Sequence, residues 1–294
     1  MVEAHSLAHG NASRYGAVAA RLDSLQAQGI LVASVAELAQ HCGLSYLAAR
    51  RQLERLALRV VRLPGRPSIV LLVPPEHRAR GAPPIAAWLD AYMRYRAQPY
   101  YVGLLSAAAL HGAAQQAPQV TQIITESPLR PIEVGRLRVD SYVKHHLRRT
   151  PLSELAGLPA PLAVSTPEAT ALDLIAFNTR IGGIRRVAEL ISQMRPAFTV
   201  RGLRKALEAE EQAALKQRLG YVLEVLGMER MAAEVGRHLP ARCMAVPLQT
   251  HASKGLARST AVQPWRIVDN VSLKEPRLPL DSGAPDAGLR PGRS

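Results

Sequence analysis

The segment 34–56 constrains the fold more than any other part of this sequence, because it has the pattern of two short helices joined by a tight turn. Ser34 and Glu37 have the spacing of a capping box at the start of the first helix. Gly43 lies where the turn needs a residue that tolerates positive φ, and Ser45 is placed to cap the second helix. The sequence therefore predicts a helix-turn-helix.

The second of these helices has one apolar face and one polar face. Ala49, Leu53 and Leu56 recur at helical spacing, so we expect them to face the core. An arginine on the opposite face would have the reach and the donors for major-groove and phosphate contacts. The predicted DNA-binding residues of this helix and its cap are Ser45, Tyr46, Leu47, Arg50 and Arg51.

Two β-rich runs, 59–63 and 68–73, follow the helices and are joined by Pro64-Gly65-Arg66-Pro67, a turn sequence. They predict a two-stranded wing, and hence a winged helix-turn-helix. Arg62 and Arg66 would lie on this wing, where they could contact phosphate or the minor groove. The alternative for both is ordinary solvated charge on a hairpin.

Composition agrees with a nucleic-acid partner but does not require one. The net charge of +14 favours a polyanion or an acidic protein surface, although it would also suit a basic soluble protein. Cys42 and Cys243 are far apart and lack CxxC partners, so no zinc site or disulfide framework is implied. Without a signal-peptide pattern or an apolar run of about 18 residues, we expect no membrane association and a cytoplasmic location.

The chain divides into four predicted regions. The winged domain takes 14–73, a proline-rich linker 74–84, a second domain 85–274, and a polar tail 275–294 that we expect to be disordered. The fold class is α+β, with the small N-terminal domain followed by a larger mixed α/β domain. Strands are predicted at 30–32, 120–126, 132–134, 137–143, 162–165, 247–248 and 265–268, and the main helices at 14–28, 85–96, 167–177, 184–194, 200–209, 211–226 and 228–239.

The sequence contains one candidate set of catalytic residues. Glu126, Asp140 and Lys144 are the acids and lysine that a metal-dependent nuclease would need, but they lack the compact Asp…Glu-x-Lys arrangement. His145 and His146 are adjacent on a predicted strand and would point to opposite faces, so they cannot easily share a metal. We predict no catalytic residue, metal or cofactor, and keep a nuclease as the less favoured alternative.

Three further polar residues have structural explanations. Glu168 lies in the first turn of its helix, where its negative charge would interact favourably with the helix dipole. Asp173 is expected to form a hydrogen bond or salt bridge. His111 ends a helix of small residues, where it would pack or cap carbonyls.

Four segments of the second domain resemble one known family. Residues 99–112 resemble the YYxGxLSAxxLHG signature of type IV antitoxin regulators of the AbiE-like kind, and 164–174 are similar to that family's VSTPExTxLDL segment. Residues 218–224 and 265–270 look like its later RLGYLLE and W-R-hydrophobic-N elements, with Asp269 where an apolar or small residue is usual. The resemblance covers most of residues 14–270.

The resemblance implies an autorepressor and antitoxin. The N-terminal domain would bind repeats in its own promoter, and the C-terminal domain would oppose a nucleotidyltransferase-like toxin without a stable complex. The basic residues offered as an antitoxin surface are Arg148, Arg149, Arg185, Arg186, Arg201 and Arg204, for which a solvated basic face is the alternative. The residues alone leave open a stand-alone transcription regulator whose C-terminal domain senses a ligand or oligomerises.

Overall fold

In the computed structural model, which describes residues 16–113, 120–153, 162–250 and 261–274, the N-terminal part alternates helices with a small sheet. Its helices are α1 (Ala17–Ala27), α2 (Val35–His41) and α3 (Tyr46–Arg55), and its strands are β1 (Val32–Ser34), β2 (Val60–Leu63) and β3 (Ile69–Leu72). The strands pair antiparallel in the order β1-β3-β2. The structure has the predicted α+β class, and this order and pairing of the strands agree with the predicted winged helix-turn-helix.

The helix starts follow from the capping residues that the sequence indicated. Ser34 Oγ accepts a hydrogen bond from the Glu37 amide at 3.1 Å, and the Glu37 carboxylate accepts one from the Ser34 amide at 3.2 Å. Ser45 Oγ accepts from the Ala48 amide at 3.2 Å. Gly43 has φ of +57°, as the turn between α2 and α3 requires. The capping box, the turn glycine and the second cap are thus confirmed.

Strand β3 is buried on both faces, which accounts for its unbroken apolar run. Val70 and Leu72 pack among the helices of the N-terminal part. Ile69 and Leu71 point the other way and pack in a cluster that also contains Trp88 from the second half of the chain. The two halves therefore share one apolar cluster across this small sheet.

The segment predicted as a linker is folded against the second half. Residues Pro75–Arg80 form a 3-10 helix. A Cβ placed on Gly135 would lie 2.5 Å from the carbonyl oxygen of Arg80, so the segment packs closely on the turn at Gly135. The domain boundaries at 73 and 85 remain predictions.

The second half is built around a six-stranded mixed sheet. Its strands are β4 (Tyr100–Val102), β5 (Val120–Thr125), β6 (Ile132–Val134), β7 (Leu137–Val143), β8 (Leu152–Ser153) and β9 (Val164–Ser165), arranged in the order β6-β7-β5-β4-β9-β8. β5 runs parallel to β7 and antiparallel to β4, which in turn runs parallel to β9. Strands β4 and β8 were absent from the sequence prediction. A parallel two-residue ladder, β10 (Val246–Pro247) with β11 (Ile267–Val268), lies near the end of the described chain.

Helices cover both faces of this sheet. One face meets the cluster shared with the N-terminal part, and the other meets a large core of C-terminal helices. The α-helices of this half are α4 (Leu89–Tyr95), α5 (Leu104–Leu110), α6 (Pro167–Ala176), α7 (Ile184–Met194), α8 (Val200–Ala209), α9 (Ala213–Val225) and α10 (Glu229–Arg237). The helix predicted at 85–96 is a 3-10 turn, Ile85–Ala87, followed by α4. Within the described ranges, no helix is long and apolar enough to cross a membrane. The predicted disordered tail, 275–294, lies outside the described residues.

Candidate nucleic-acid interface and polar network

The first turn of α3 presents two large apolar side chains to solvent. Tyr46 is 48% exposed and Leu47 is 53% exposed, and both follow the capping residue Ser45. In a helix-turn-helix, the N-terminal residues of the second helix are those that reach base edges. An exposed apolar side chain there can contact the thymine methyl group in the major groove.

The arginines of α3 and of the wing meet at one carboxylate. Glu54 accepts from Arg50 at 3.2 Å and from Arg62 at 3.1 Å. Both pairs are about half exposed, so they contribute little stability and a DNA phosphate could replace the carboxylate. Arg51 is exposed, and the described part of the chain gives it no ion pair. Glu54 thus joins α3 to strand β2, a contact that the sequence did not indicate.

The turn of the wing is held from behind by α4. The Tyr92 hydroxyl donates to the Pro64 carbonyl at 2.8 Å, and Arg96 Nη1 donates to the Arg66 carbonyl at 2.8 Å. A Cβ on Gly65 would fall 1.9 Å from Arg96 Nη1, so a side chain there would displace the Arg96 guanidinium. The side chain of Arg66 remains exposed. The second half of the chain therefore fixes the position of the wing.

A second contact joins α4 to the helix-turn-helix. The Tyr95 hydroxyl donates to the carboxylate of Glu37, the same group that completes the capping box of α2. Burial and this carboxylate raise the pKa of Tyr95 to about 12. The phenol stays protonated at neutral pH and remains a donor. The contacts of α4 are not apparent from the sequence, because nothing in an isolated Tyr or Arg indicates a partner 28 to 58 residues away.

The C-terminal half contains a buried polar group at the centre of the motif segments. Asp173 is fully buried in α6, and its two oxygens accept from Lys144 Nζ at 2.7 Å and from the Tyr101 hydroxyl at 2.8 Å. Burial raises the pKa of Asp173, while Lys144 and Tyr101 oppose the rise by stabilising the carboxylate. The predicted hydrogen bond or salt bridge of Asp173 is confirmed, and this group ties β4, the end of β7 and α6 together.

Other polar residues of the motifs are paired in the same way. Glu168 is buried and accepts from the amide and the hydroxyl of Thr199 at 2.7 and 3.0 Å, which joins the first turn of α6 to the start of α8. The ring of His111 bonds the Ser165 carbonyl of β9 at 2.7 Å, and not a carbonyl at the end of its own helix. Burial lowers the pKa of His111, so its ring is neutral at pH 7.

The last two motif segments meet around Trp265. Its indole Nε1 donates to Glu224 at 2.7 Å, and a Cβ on Gly220 would lie 2.1 Å from its ring. The Tyr221 hydroxyl donates to Asp269 at 2.7 Å, which gives the unusual residue of this segment a defined partner. The motif residues thus form buried structural contacts, and the resemblance rests on residues that hold the C-terminal core together.

The structure does not assemble the predicted nuclease set. Glu126 pairs with Arg148, Asp140 with Arg138, and Lys144 with the buried Asp173. His145 and His146 lie in the turn after β7 and not on the strand as predicted. Across the described ranges, no three His, Cys, Asp or Glu residues come together to hold a metal ion.

The predicted basic surface is distributed over three elements and is largely paired within the chain. Arg148 and Arg149 follow β7, Arg185 and Arg186 begin α7, and Arg201 and Arg204 begin α8. Their partners are Glu126 for Arg148, Glu211 for Arg149, the carbonyls of Val271 and Ser272 for Arg185, Glu189 for Arg186, and Glu234 for Arg204. Arg201 is exposed and has no ion pair in the part of the chain that the structure describes.

Comparisons with known proteins agree with the architecture. Residues 101–225 match the family model of the AbiEi antitoxin C-terminal domain. The crystal structure of RV2827C protein from Mycobacterium tuberculosis superposes with a TM-score of 0.61 at 16% identity, covering 87% of this chain and 91% of that chain. At this identity the likeness shows a shared fold. A comparison with curated proteins gives no match.

Proposed function

We propose that the chain, whose residues 101–225 match the family model of the AbiEi antitoxin C-terminal domain, is an antitoxin that also represses its own promoter. The observation that carries the proposal is this domain joined to a helix-turn-helix whose second helix is exposed at its N-terminal end. In the proposed division, residues 14–73 bind duplex DNA, residues 74–84 connect the halves, and residues 85–274 counteract a nucleotidyltransferase-like toxin without forming a stable complex with it.

DNA binding is proposed to use the exposed face of α3 together with the wing. Tyr46 and Leu47 would contact base edges, Arg50 and Arg51 would reach bases and phosphates, and the wing arginines would contact the backbone. The net charge of +14 supports a polyanionic partner. We expect binding to weaken steeply as salt is added.

The DNA proposal is tested by fluorescence anisotropy with duplex DNA from upstream of the chain's own reading frame. Replacing Arg50 and Arg51 by Ala should abolish the sequence-specific rise in anisotropy at moderate salt, because a base-contacting arginine contributes about 1–3 kcal/mol of discrimination between bases. Arg186 and Arg201 lie on the C-terminal helices, so their double alanine variant is a matched control that should bind as the wild type does. Equal binding by the folded α3 variant would exclude this placement.

The wing arginines are tested separately, by the salt dependence of DNA binding. Replacing Arg62 and Arg66 by Gln should lower the salt slope of binding by about one unit for each lost phosphate contact. An unchanged slope would identify them as solvated charge.

The antitoxin proposal is tested by co-expressing the chain with the product of the adjacent reading frame and scoring growth. Rescue of growth supports an antitoxin. Operator binding without rescue would support the second candidate, a stand-alone regulator. Charge reversal at Arg186 and Arg201 should reduce rescue and leave operator binding intact if the basic C-terminal surface opposes the toxin.

Catalysis is not part of the proposed mechanism. The acids and the lysine considered for a nuclease are committed to other ion pairs, with Arg148, Arg138 and Asp173. Metal-dependent cleavage of DNA by the wild type, lost on Asp140→Asn, would replace the antitoxin proposal with the nuclease.

A further inference from the structure

A small cavity opens in the C-terminal half between the turn after β7 and the junction of α8 with α9. Its volume is about 190 Å³. Drug-sized ligands occupy pockets of roughly 300–1,000 Å³, so this cavity suits a smaller group. It is lined by Val143, Lys144, His145, His146, Ala176, Phe177, Ala209, Glu210, Glu211, Gln212 and Leu215.

The charges around the cavity leave one carboxylate without a cation. Lys144 is already paired with the buried Asp173, so the two charges cancel. Glu211 lies at the exposed rim and is paired with Arg149. Glu210 is only 8% exposed, and the described part of the chain gives it no ion pair. A buried carboxylate in this position favours a positively charged occupant.

The hydrogen bonding of Glu210 leaves capacity for such an occupant. Its Oε1 accepts from the Gln212 amide at 2.9 Å, and that is the one bond found for this carboxylate among the described residues. A carboxylate can accept about four hydrogen bonds, so most of its capacity is unused. The negative charge of Glu210 also reaches the neighbouring network, where burial, and after it the Asp173 carboxylate, raise the pKa of Tyr101, with Glu210 adding a smaller contribution.

Part of the remaining wall is apolar, although His145, His146 and Gln212 also line the cavity. Phe177 packs edge-to-face on Tyr142, with ring centroids 5.5 Å apart at 72°, so its ring is held in place beside the cavity. Val143 and Leu215 supply aliphatic surface. An alkyl chain that carries a cation at its end satisfies both kinds of wall, because its stem is apolar and its head can meet a carboxylate or an aromatic face.

We propose that this cavity binds an alkylammonium or alkylguanidinium group, with Glu210 as the residue that accepts the cationic head. The occupant is a lysine or arginine side chain of a partner protein, or a small free amine of the same chemistry. The proposal does not depend on DNA binding or on toxin neutralisation by this chain.

The test uses the full chain and a matched series of probes: n-butylammonium, butylguanidinium, n-butanol and butyrate. Both cations should give saturable chemical-shift changes in a ¹H–¹⁵N spectrum, centred on residues around Phe177 and Gln212. The neutral and anionic probes should give none. If n-butanol binds as well as butylammonium, the cavity is an apolar void and the proposal fails, whatever the variants do.

Glu210→Gln is the decisive variant, because the amide oxygen can still accept from the Gln212 amide while the charge is removed. It should weaken butylammonium binding at least tenfold. Glu208→Gln, which changes an exposed carboxylate of α8 outside the cavity lining, is the control and should bind within twofold of the wild type. Unchanged affinity in folded Glu210→Gln would overturn the proposal.

Two further probes distinguish a side chain of a partner protein from a small free amine as the source of the cationic group. A capped Gly-Lys-Gly peptide that binds at least as tightly as butylammonium assigns the site to a partner's side chain. A diamine that binds while the peptide does not assigns it to a small metabolite. Binding of neither would count against the site as a whole.

Discussion

Replacing Lys144 by Met should turn Asp173 into a buried carboxylate without a cation. Lys144 Nζ lies 2.7 Å from Asp173 Oδ1, and the Asp173 side chain is fully buried. At about 4 Å between charge centres and an effective dielectric of about 20, the lost attraction is about 4 kcal/mol. This agrees with the roughly 3–5 kcal/mol observed when one partner of a buried pair is removed.

The loss of stability caused by Lys144→Met should depend on pH, and the pKa of Asp173 determines the direction. Burial already raises the pKa of Asp173 in the wild type, and without Lys144 the pKa rises further. An acid whose folded pKa lies above its unfolded value stabilises the fold below the unfolded pKa, and this contribution disappears as pH rises through the folded pKa. The deficit of the variant should therefore be largest above the pKa of Asp173 in the variant. It should shrink by about 1.4 kcal/mol per unit as pH falls from that pKa to the lower pKa of Asp173 in the wild type, and stay constant below it.

Urea unfolding followed by circular dichroism, at pH 8 and pH 5, measures this difference between variant and wild type. The double variant Lys144→Met with Asp173→Asn should recover much of the stability, because neither charge remains. Lys205→Met, at an exposed position of α8, is the matched control and should change stability by less than about 0.5 kcal/mol. A deficit below about 1 kcal/mol for Lys144→Met, or one that does not change with pH, would refute the reasoning.

Three substitutions test other contacts by urea or thermal unfolding. Gly220→Ala adds a Cβ that would lie 2.1 Å from the ring of Trp265, and should cost about 1–3 kcal/mol; a stability equal to the wild type would mean that the ring moves freely. Ser45→Ala removes the cap of α3 and should cost about 1 kcal/mol, so an unchanged melting temperature would contradict the role of the cap. Glu168→Ala leaves the Thr199 amide without its acceptor and should cost about 1.5–3 kcal/mol; a smaller loss would indicate that water replaces the carboxylate.

The helices and strands that could be predicted from the sequence are those with a clear apolar repeat of their own. The helices at Ile184–Met194 and Val200–Ala209 have the predicted bounds, because each has a clear apolar repeat of helical period. Strands β6 and β7 were also placed correctly, on either side of the turn at Gly135, which has positive φ. Strand β1 lies two residues later than predicted, since the paired residues are set by β3 and not by the strand's own sequence.

The missed features depend on partners distant in sequence. Strand β4 is three residues long and is defined by pairing with β5 on one side and β9 on the other, which no local pattern reveals. Tyr101 and Asp173 are 72 residues apart, although an aspartate inside an apolar helix did indicate a buried bond. The sequence also showed where arginines are concentrated but not which carboxylates pair with them.

Ile69, Leu71 and Trp88 pack in one cluster shared by the two halves. The order in which the chain is synthesised therefore affects how its apolar surface is covered. A nascent chain completes its N-terminal helices first, so one face of β3 is covered early, while the other remains apolar and open until Trp88 and the strands beyond it have been made. A truncated chain that ends before Trp88 would expose this apolar face of β3 to water and would be prone to aggregation or degradation. Under the proposed function, an operator would then be occupied only by chains that also carry the second half, so repression could not outlast the capacity to counteract the toxin.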